Sequence, residues 1–548
     1  MRRGFGHSWG RVIPRNSDET QAISERRTRT HVDRVGDHAK VSDSFPECAC
    51  FVELRMIALP LMRGLFALCV FGMGCGGTAS SSTVDPLADA GADAAEAAAD
   101  SADDADITIP WNTGSAKLEL LWVASIDNRT LGWAGLRFFG PYVTGEGDVL
   151  VGGSLDGSWS LFGQPPVTTL GNDVIVARLA GATGQPRWLH HFPNDAFEFG
   201  VSAWGSGDTL LVEGSFQSQP LALGESSLQP DPDPEIEGAS TQFFARFDSE
   251  GELGWSSVLP HRKSTLFLPE VAWDTKGGIG IVSLAWGEVD FGGGPLPPVV
   301  GSIFLARLGT EGEHVWSKAS VPEDWSCSTV PSGVMISNAG RIFVVGTHEG
   351  RATLGGETLE SADGEAALVL AFEPDGTLAW SKLFPSQNAP PTLGGVLAGD
   401  DLVLFGQATA ELDFGAGPQG GGVTGHLARF RPDGTLRWSR SFGGEGLVSL
   451  LVASVAGEET TVAGRFRDAL DTGVETLVGA GRSDAFVARL GAGGETLWAI
   501  RMGDEWDQGV DGIAIDEAGD LLLHTGSLDV DGEISGSVTF SKWRIVSD

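Results

Sequence analysis

Six times between residues 174 and 498 the chain passes from an apolar run through a short polar turn to a tryptophan, always with a glycine four residues before the indole. The copies are VIVARLAGATGQPRW ending at Trp188, FFARFDSEGELGW at Trp255, IFLARLGTEGEHVW at Trp316, LVLAFEPDGTLAW at Trp380, HLARFRPDGTLRW at Trp438 and FVARLGAGGETLW at Trp498. The glycines are Gly184, Gly251, Gly312, Gly376, Gly434 and Gly494. A short apolar run closed by a turn with glycine at a fixed offset describes a β-hairpin whose turn needs positive φ. A hairpin that recurs at about sixty-residue intervals confines the chain to a repeat architecture. With 78 glycines and 27 prolines, many tight turns between short strands suit the composition better than long helices.

A second pattern lies between the tryptophans. A glycine or aspartate turn and a few apolar residues lead to a small residue at Gly153, Gly214, Ser283, Gly346, Gly406, Gly464 and Gly526, as in GDVLVGGS and GRIFVVGT. With the apolar stretches that precede some of these, such as GIAID (512–516), each repeat holds about four strands. Four antiparallel strands per unit, repeated four to eight times, describe the blades of a β-propeller. The ends decide the number. FSKWRIV from Phe540 matches the third strand of a unit but has no turn and tryptophan after it, while AKLELLW supplies that remainder at Trp122. Joined, they make a seventh blade from both termini, which removes loose sheet edges. The fold class expected is therefore all-β, a seven-bladed propeller over residues 115–548, with six or eight blades as the alternative.

DAFVARLGAGGETLW followed by GIAIDEAGDLLLHTG (484–526) resembles the bacterial seven-bladed β-propeller repeat family of secreted and anchored proteins, over about four-fifths of the chain. The resemblance implies a fold; its motifs specify strands and turns and no reaction. A looser likeness is to quinoprotein-type propellers and the outer-membrane assembly lipoprotein that shares their blades, marked by Ala-x-Asp-x-x-Thr-Gly-x-x-x-Trp. Only ARLAGATGQPRW keeps the Thr183-Gly184 pair ahead of Trp188, and most units lack the Thr and the Asp, so neither the quinone nor the assembly role carries over.

Ahead of the repeats, MIALPLMRGLFALCVFGMGC (56–75) is too short to span a bilayer comfortably and has the basic, apolar and small-residue order of an export signal. Gly72-Met73-Gly74-Cys75 resembles a bacterial lipoprotein signal, which implies lipidation at Cys75; glycine after the cysteine favours the outer membrane. Residues 1–55 are Arg-rich without an apolar period and read as a mis-assigned start, with initiation at Met56 or Met62. Residues 76–114 are rich in Ala, Asp and Ser, which cannot bury a core and suit a solvated tether. The expected address is extracytoplasmic.

Charge and cysteine content exclude several functions. The net charge is −37, so counterion release cannot drive nucleic-acid binding. Four of the five cysteines lie at or before position 75, which leaves Cys327 alone in the repeats, a structural thiol with no disulfide framework or thiolate metal site. His190 and His191 are adjacent on a strand, point to opposite faces and cannot both readily hold one metal. No metal and no cofactor is expected. There is no GxSxG, HExxH or P-loop, so no catalytic residue is assigned, and an enzyme reading would rest on carboxylates gathered at the channel.

The repeated tryptophans read as blade-to-blade packing, and Arg178, Arg246, Arg307, Arg429 and Arg489 as partners of acids on adjacent blades. Asp290-Phe291-Gly292 and Asp413-Phe414-Gly415 recur at one place in their blades and read as outer-loop structure. Trp204, Trp286, Trp325 and Trp506 fall outside the hairpin position. The segments that follow each tryptophan should cross to the innermost strand of the next blade and line the ring face beside the channel; they include 194–200, 325–333, 389–395 and 504–512. They differ from one another more than the strands do. Trp506 with Asp504 and Asp507 offers an aromatic face and two acceptors, and with Trp325 and Trp204 forms the binding set. The function expected is a monomeric, anchored, non-catalytic binding or scaffold module for a protein or glycan of the cell envelope; the alternative is a hydrolase or lyase using channel-facing carboxylates.

Overall fold

The computed structural model describes residues 113–114, 117–128 and most of 136–546; the expected signal segment, Cys75, most of the expected tether and parts of several crossings lie outside that description. The described strands pair as seven four-stranded antiparallel blades. Blade 1 comprises Leu136–Val143, Val149–Leu155, Asp173–Leu179 and Pro186–Phe192, and blade 2 Glu198–Ser206, Thr209–Phe216, Thr241–Phe247 and Leu253–Val258. Blade 3 comprises Thr265–Trp273, Ile279–Trp286, Ile303–Leu308 and His314–Ala319, and blade 4 Ser328–Ile336, Ile342–Leu354, Glu357–Phe372 and Leu378–Pro385. Blade 5 is Thr392–Ala398, Asp401–Ala408, Thr424–Phe430 and Leu436–Phe442; blade 6 is Val448–Ala456, Glu459–Phe466, Asp484–Leu490 and Thr496–Met502. Blade 7 takes Gly512–Ile515, Leu521–Leu528 and Ile534–Val546 from one end of the repeats and Lys117–Asn128 from the other. The first strands neighbour one another around the ring and are the innermost.

Each blade is covered on both faces by its neighbours, so its middle strands are buried on both sides. Asp173–Leu179 is buried throughout, whereas the outer Pro186–Phe192 is half-exposed. That is why third strands read as near-continuous apolar runs and the fourth strands do not. The core is a set of wedges between blades. Leu150, Val174 and Val201 pack between blades 1 and 2, and Leu211, Phe244, Ile281 and Phe304 between blades 2 and 3. Blades that radiate from an axis diverge toward the rim. The links between second and third strands fill that gap by folding back, bringing Leu221 and Leu223, Phe291, Leu354, Phe414, and Leu470 into successive wedges.

Closure follows the expected register. Lys117–Asn128 runs antiparallel to Ile534–Val546 from Lys117 opposite Val546 to Asp127 opposite Ser537. Two contacts were not foreseen. Ser158–Leu161 of the blade 1 link extends the same sheet by pairing with Ile126–Asn128, and Thr113–Gly114 pairs with Arg501 and Ile500 on blade 6. The N-terminal strand is thereby fastened to blades 1 and 7 and the residues before it to blade 6.

The glycine and the tryptophan of the repeat belong together through the neighbouring blade. All six glycines have φ between +69° and +84°. A Cβ on Gly376 would lie 2.8 Å from Trp316 Cδ2, on Gly434 3.1 Å from Trp380 Cδ2 and on Gly494 2.8 Å from Trp438 Cδ2. Each turn glycine is thus the floor on which the preceding blade's indole rests. The indole N–H then donates to a carbonyl of the same turn: Trp188 to Ser249 (2.9 Å), Trp316 to Pro374 (3.0 Å), Trp380 to Pro432 (2.9 Å) and, across the closure, Trp122 to Gly181 (2.9 Å). Buried indoles usually find such a partner; the Trp438 N–H has none among the described residues.

Candidate functional site

The repeated charged residues are engaged within the ring. Arg178 binds Asp148 (2.8 Å) and Glu146 (2.9 Å) and donates to Ser249 O of blade 2; Arg429 binds Asp401 (2.8 Å) and Glu458 (2.9 Å). Arg307 pairs with Asp274 and Arg489 with Glu459. Most of these acids come from the turn between the first two strands of the same blade, where adjacent blades had been expected to supply them. The correction has a simple cause: a side chain on the third strand reaches across the second strand to the turn that precedes it. The neighbouring blade contributes chiefly carbonyls, with Glu458 the exception. Burial alone would raise the Asp148 carboxyl, but the Gly181 amide and the guanidinium groups of Arg187 and Arg178 outweigh it and hold the group below its usual range.

Of the predicted binding set, Trp506, Asp504, Asp507 and Trp325 lie outside the described residues. Trp204 is in the innermost strand of blade 2, half-buried, its ring stacked on Phe139 of blade 1 with centroids 6.3 Å apart. Trp286 ends the second strand of blade 3. Asp290 accepts the amides of Gly292 and Gly294, and Asp413 those of Gly415 and Gly417, so both DFG copies cap the turns of rim hairpins. His191 meets Asp173 at 2.6 Å while His190 stacks with Phe192 and lies tilted against Trp188, on the opposite face. Cys327 is buried beside Gly350.

One group of acids went unnoticed in the sequence. Glu213, in the second strand of blade 2, is 1% exposed; it takes a hydrogen bond from Gln242 on one oxygen, while Oε2 has no partner among the described residues. The register places Gly152, Val282, Val345, Phe405, Ala463 and His524 at the same position of the other blades. Blade 2 alone carries an acid there. Burial raises its pKa well above the ordinary carboxylate value, the charge of Glu270 raises it further and Gln242 opposes them. Glu270, on the innermost strand of blade 3, is pushed up to about 7 by burial. Tyr142 donates to Ala203 O at 2.7 Å, and burial with the Glu270 charge keeps its phenol protonated. The arrangement can hold a proton near neutral pH beside the inner strands, the property of a general acid or base. The signal was present as a polar residue in an otherwise apolar strand, TLLVEGSF (209–216).

Among the described residues no helix is long and apolar enough to cross a membrane, and no three His, Cys, Asp or Glu side chains are grouped to hold a metal ion. No family model and no curated protein sequence matches the chain. Solved structures that align with it include a protein of unknown function from Dyadobacter fermentans, 12% identical over 64% of this chain and 95% of the other, with a TM-score of 0.35. The polysaccharide lyase Uly1 is 10% identical over 80% and 100% with a TM-score of 0.38. The β-propeller domain of the Trilobed protease from Pyrococcus furiosus, described as having an open velcro topology, is 9% identical over 64% and 97% with a TM-score of 0.29. At these values the assignment of the fold rests on the strand pairing of this chain itself.

Proposed function

We propose that the protein is an envelope-anchored extracytoplasmic propeller that binds a protein or glycan without transforming it. The observation that supports this reading is the engagement of the repeated Arg, Asp and Trp side chains in stitches between and within blades. Recognition then falls to what is not repeated: the crossings on the channel face, with Trp506, Asp504, Asp507, Trp325 and Trp204, and the places where one blade departs from the rest. The tether and the lipid on Cys75 would hold this ring at the outer membrane. Capture of partners from envelope extract by the purified protein, compared with a Trp506→Ala/Asp507→Ala variant of intact fold, tests the reading; unchanged capture removes that crossing from the site.

The second reading, a hydrolase or lyase, is favoured by the Glu213 and Glu270 pair. Turnover of a polysaccharide or ester panel that is lost in both Glu213→Gln and Glu270→Gln would replace the binding reading with it.

A further inference from the structure

The wedge between blades 2 and 3 differs at its outer end from those that follow blades 1, 4 and 5. In blades 1, 4 and 5 the residue two positions after the repeated tryptophan is long, His190, Lys382 or Arg440, and the residue four positions after it is Phe192, Phe384 or Phe442. These side chains fill the rim: His190 lies tilted against Trp188 with centroids 5.4 Å apart, Phe384 lies 4.9 Å from Phe414, and Arg440 lies over Phe442. Blade 2 has Ser257 and Leu259 at those positions. The shorter pair leaves a cavity of about 310 Å³ lined by Phe244, Trp255, Ser257, Leu259, Phe291 and His314. A side chain is missing where the sequence supplies a smaller one.

Trp255 also sits differently. It turns Cζ2 toward Gly312, whereas Trp188, Trp316, Trp380 and Trp438 present Cδ2, and Trp122 the neighbouring Cε3, to the glycine of the following turn. The wall opposite is polar where blades 2, 4 and 5 are apolar. His314 stands at the position of Leu253, Leu378 and Leu436. Its Nε2 is 3.1 Å from Ser317 Oγ, and its ring lies over Gly293. Glu313 adds an exposed carboxylate that accepts the Glu311 amide, and Ser257 adds a hydroxyl.

We propose that this wedge is a binding site for a neutral pyranose ring, stacked on Trp255 with its hydroxyls meeting His314, Ser257 and Glu313. A pyranose has an apolar face of C–H groups that suits the negative face of an indole and a rim of hydroxyls that needs hydrogen-bonding groups at the edge. The volume lies at the low end for ligand pockets and admits one or two rings. Neutrality follows from the Glu313 carboxylate and from the chain's charge of −37, both of which repel uronates and sulfated sugars.

The inference rests on the binding reading and names one ligand class for it. Calorimetric titration of the full chain with maltotriose, cellotriose and chitotriose, and with a triglucuronate as the anionic counterpart, tests it. At least one neutral trisaccharide should bind and the triglucuronate should not. Ser257→Lys and Leu259→Phe install the fillers found in blade 4; each should weaken binding at least tenfold while leaving the thermal midpoint unchanged or higher. Absence of binding by all three neutral sugars, or binding that survives both fillers in folded protein, overturns the proposal. If envelope partners are still captured in that case, the binding reading stands and only the sugar site falls; if capture fails as well, both fall.

Discussion

The indole N–H of Trp122 donates to the carbonyl of Gly181, 2.9 Å away, and Trp122 is also the ring that a Cβ on Gly184 would strike at 2.5 Å. Trp122 therefore does for blades 7 and 1 what Trp188 does for blades 1 and 2, although it arrives from the N-terminal strand. The Lys542 ammonium reaches the same Gly181 carbonyl at 3.1 Å, so both halves of blade 7 meet blade 1 at one atom. Trp122→Ala should cost about 3–5 kcal/mol in urea unfolding. Limited proteolysis of the variant should cut 117–128 and 534–546 together, since they are one sheet; cleavage of only one segment would show that closure does not depend on this contact.

Gly434→Ala should cost about 2–4 kcal/mol, because the new Cβ meets both a φ of +82° and the Trp380 indole. Gly457 has a φ of +62° with nothing near its missing Cβ, and Gly457→Ala should cost only about 1 kcal/mol. The difference in denaturation midpoints isolates the contact between blades. Equal losses would mean that backbone conformation alone selects the glycines.

Glu213 and Glu270 both hold protons more tightly in the folded protein than an unfolded glutamate does at 4.5. Their contribution to stability is full below that value and is lost as pH rises, through about 7 for Glu270, with the raised Glu213 adding to the same loss. Unfolding free energy should thus decline from pH 5 to pH 8. Glu213→Gln keeps a neutral amide in place of the acid and should add about 1–3 kcal/mol at pH 8 while flattening that decline. A variant with the same slope as the parent would place the proton elsewhere.

Metabolic labelling with a fatty acid should mark the protein in its native host. Cys75→Ala should abolish the label, and equal labelling of the variant would remove the lipid anchor from the proposal.

The fold was legible because its two diagnostic residues serve contacts that recur at six of the seven junctions: a glycine with positive φ cannot be replaced there without meeting the previous blade's tryptophan. The complementary ends, FSKWRIV and AKLELLW, fixed the closure for the same reason. The rim and inner wall were harder to read. Glu213 is one letter in an apolar strand, and its meaning appears only when the register aligns it with Gly152, Val282 and Val345. Ser257 and Leu259 are unremarkable residues until Lys382 and Phe384 show what the same positions hold in another blade. The arginine partners were misjudged because alternation tells which face a side chain leaves from and not how far it reaches.

The pairing of Lys117–Asn128 with Ile534–Val546 also orders events in time. The closing strand leaves the ribosome ahead of all seven first strands, yet its partner emerges only after six blades have been made. Until then the ring has an open seam, with the third strand of blade 7 absent and the residues around Trp122 without a sheet to join. Search for so distant a partner is slow, because the loop must close before the contact can reward it. Under the export proposed above, a propeller that cannot shut early would remain threadable until its last blade is through.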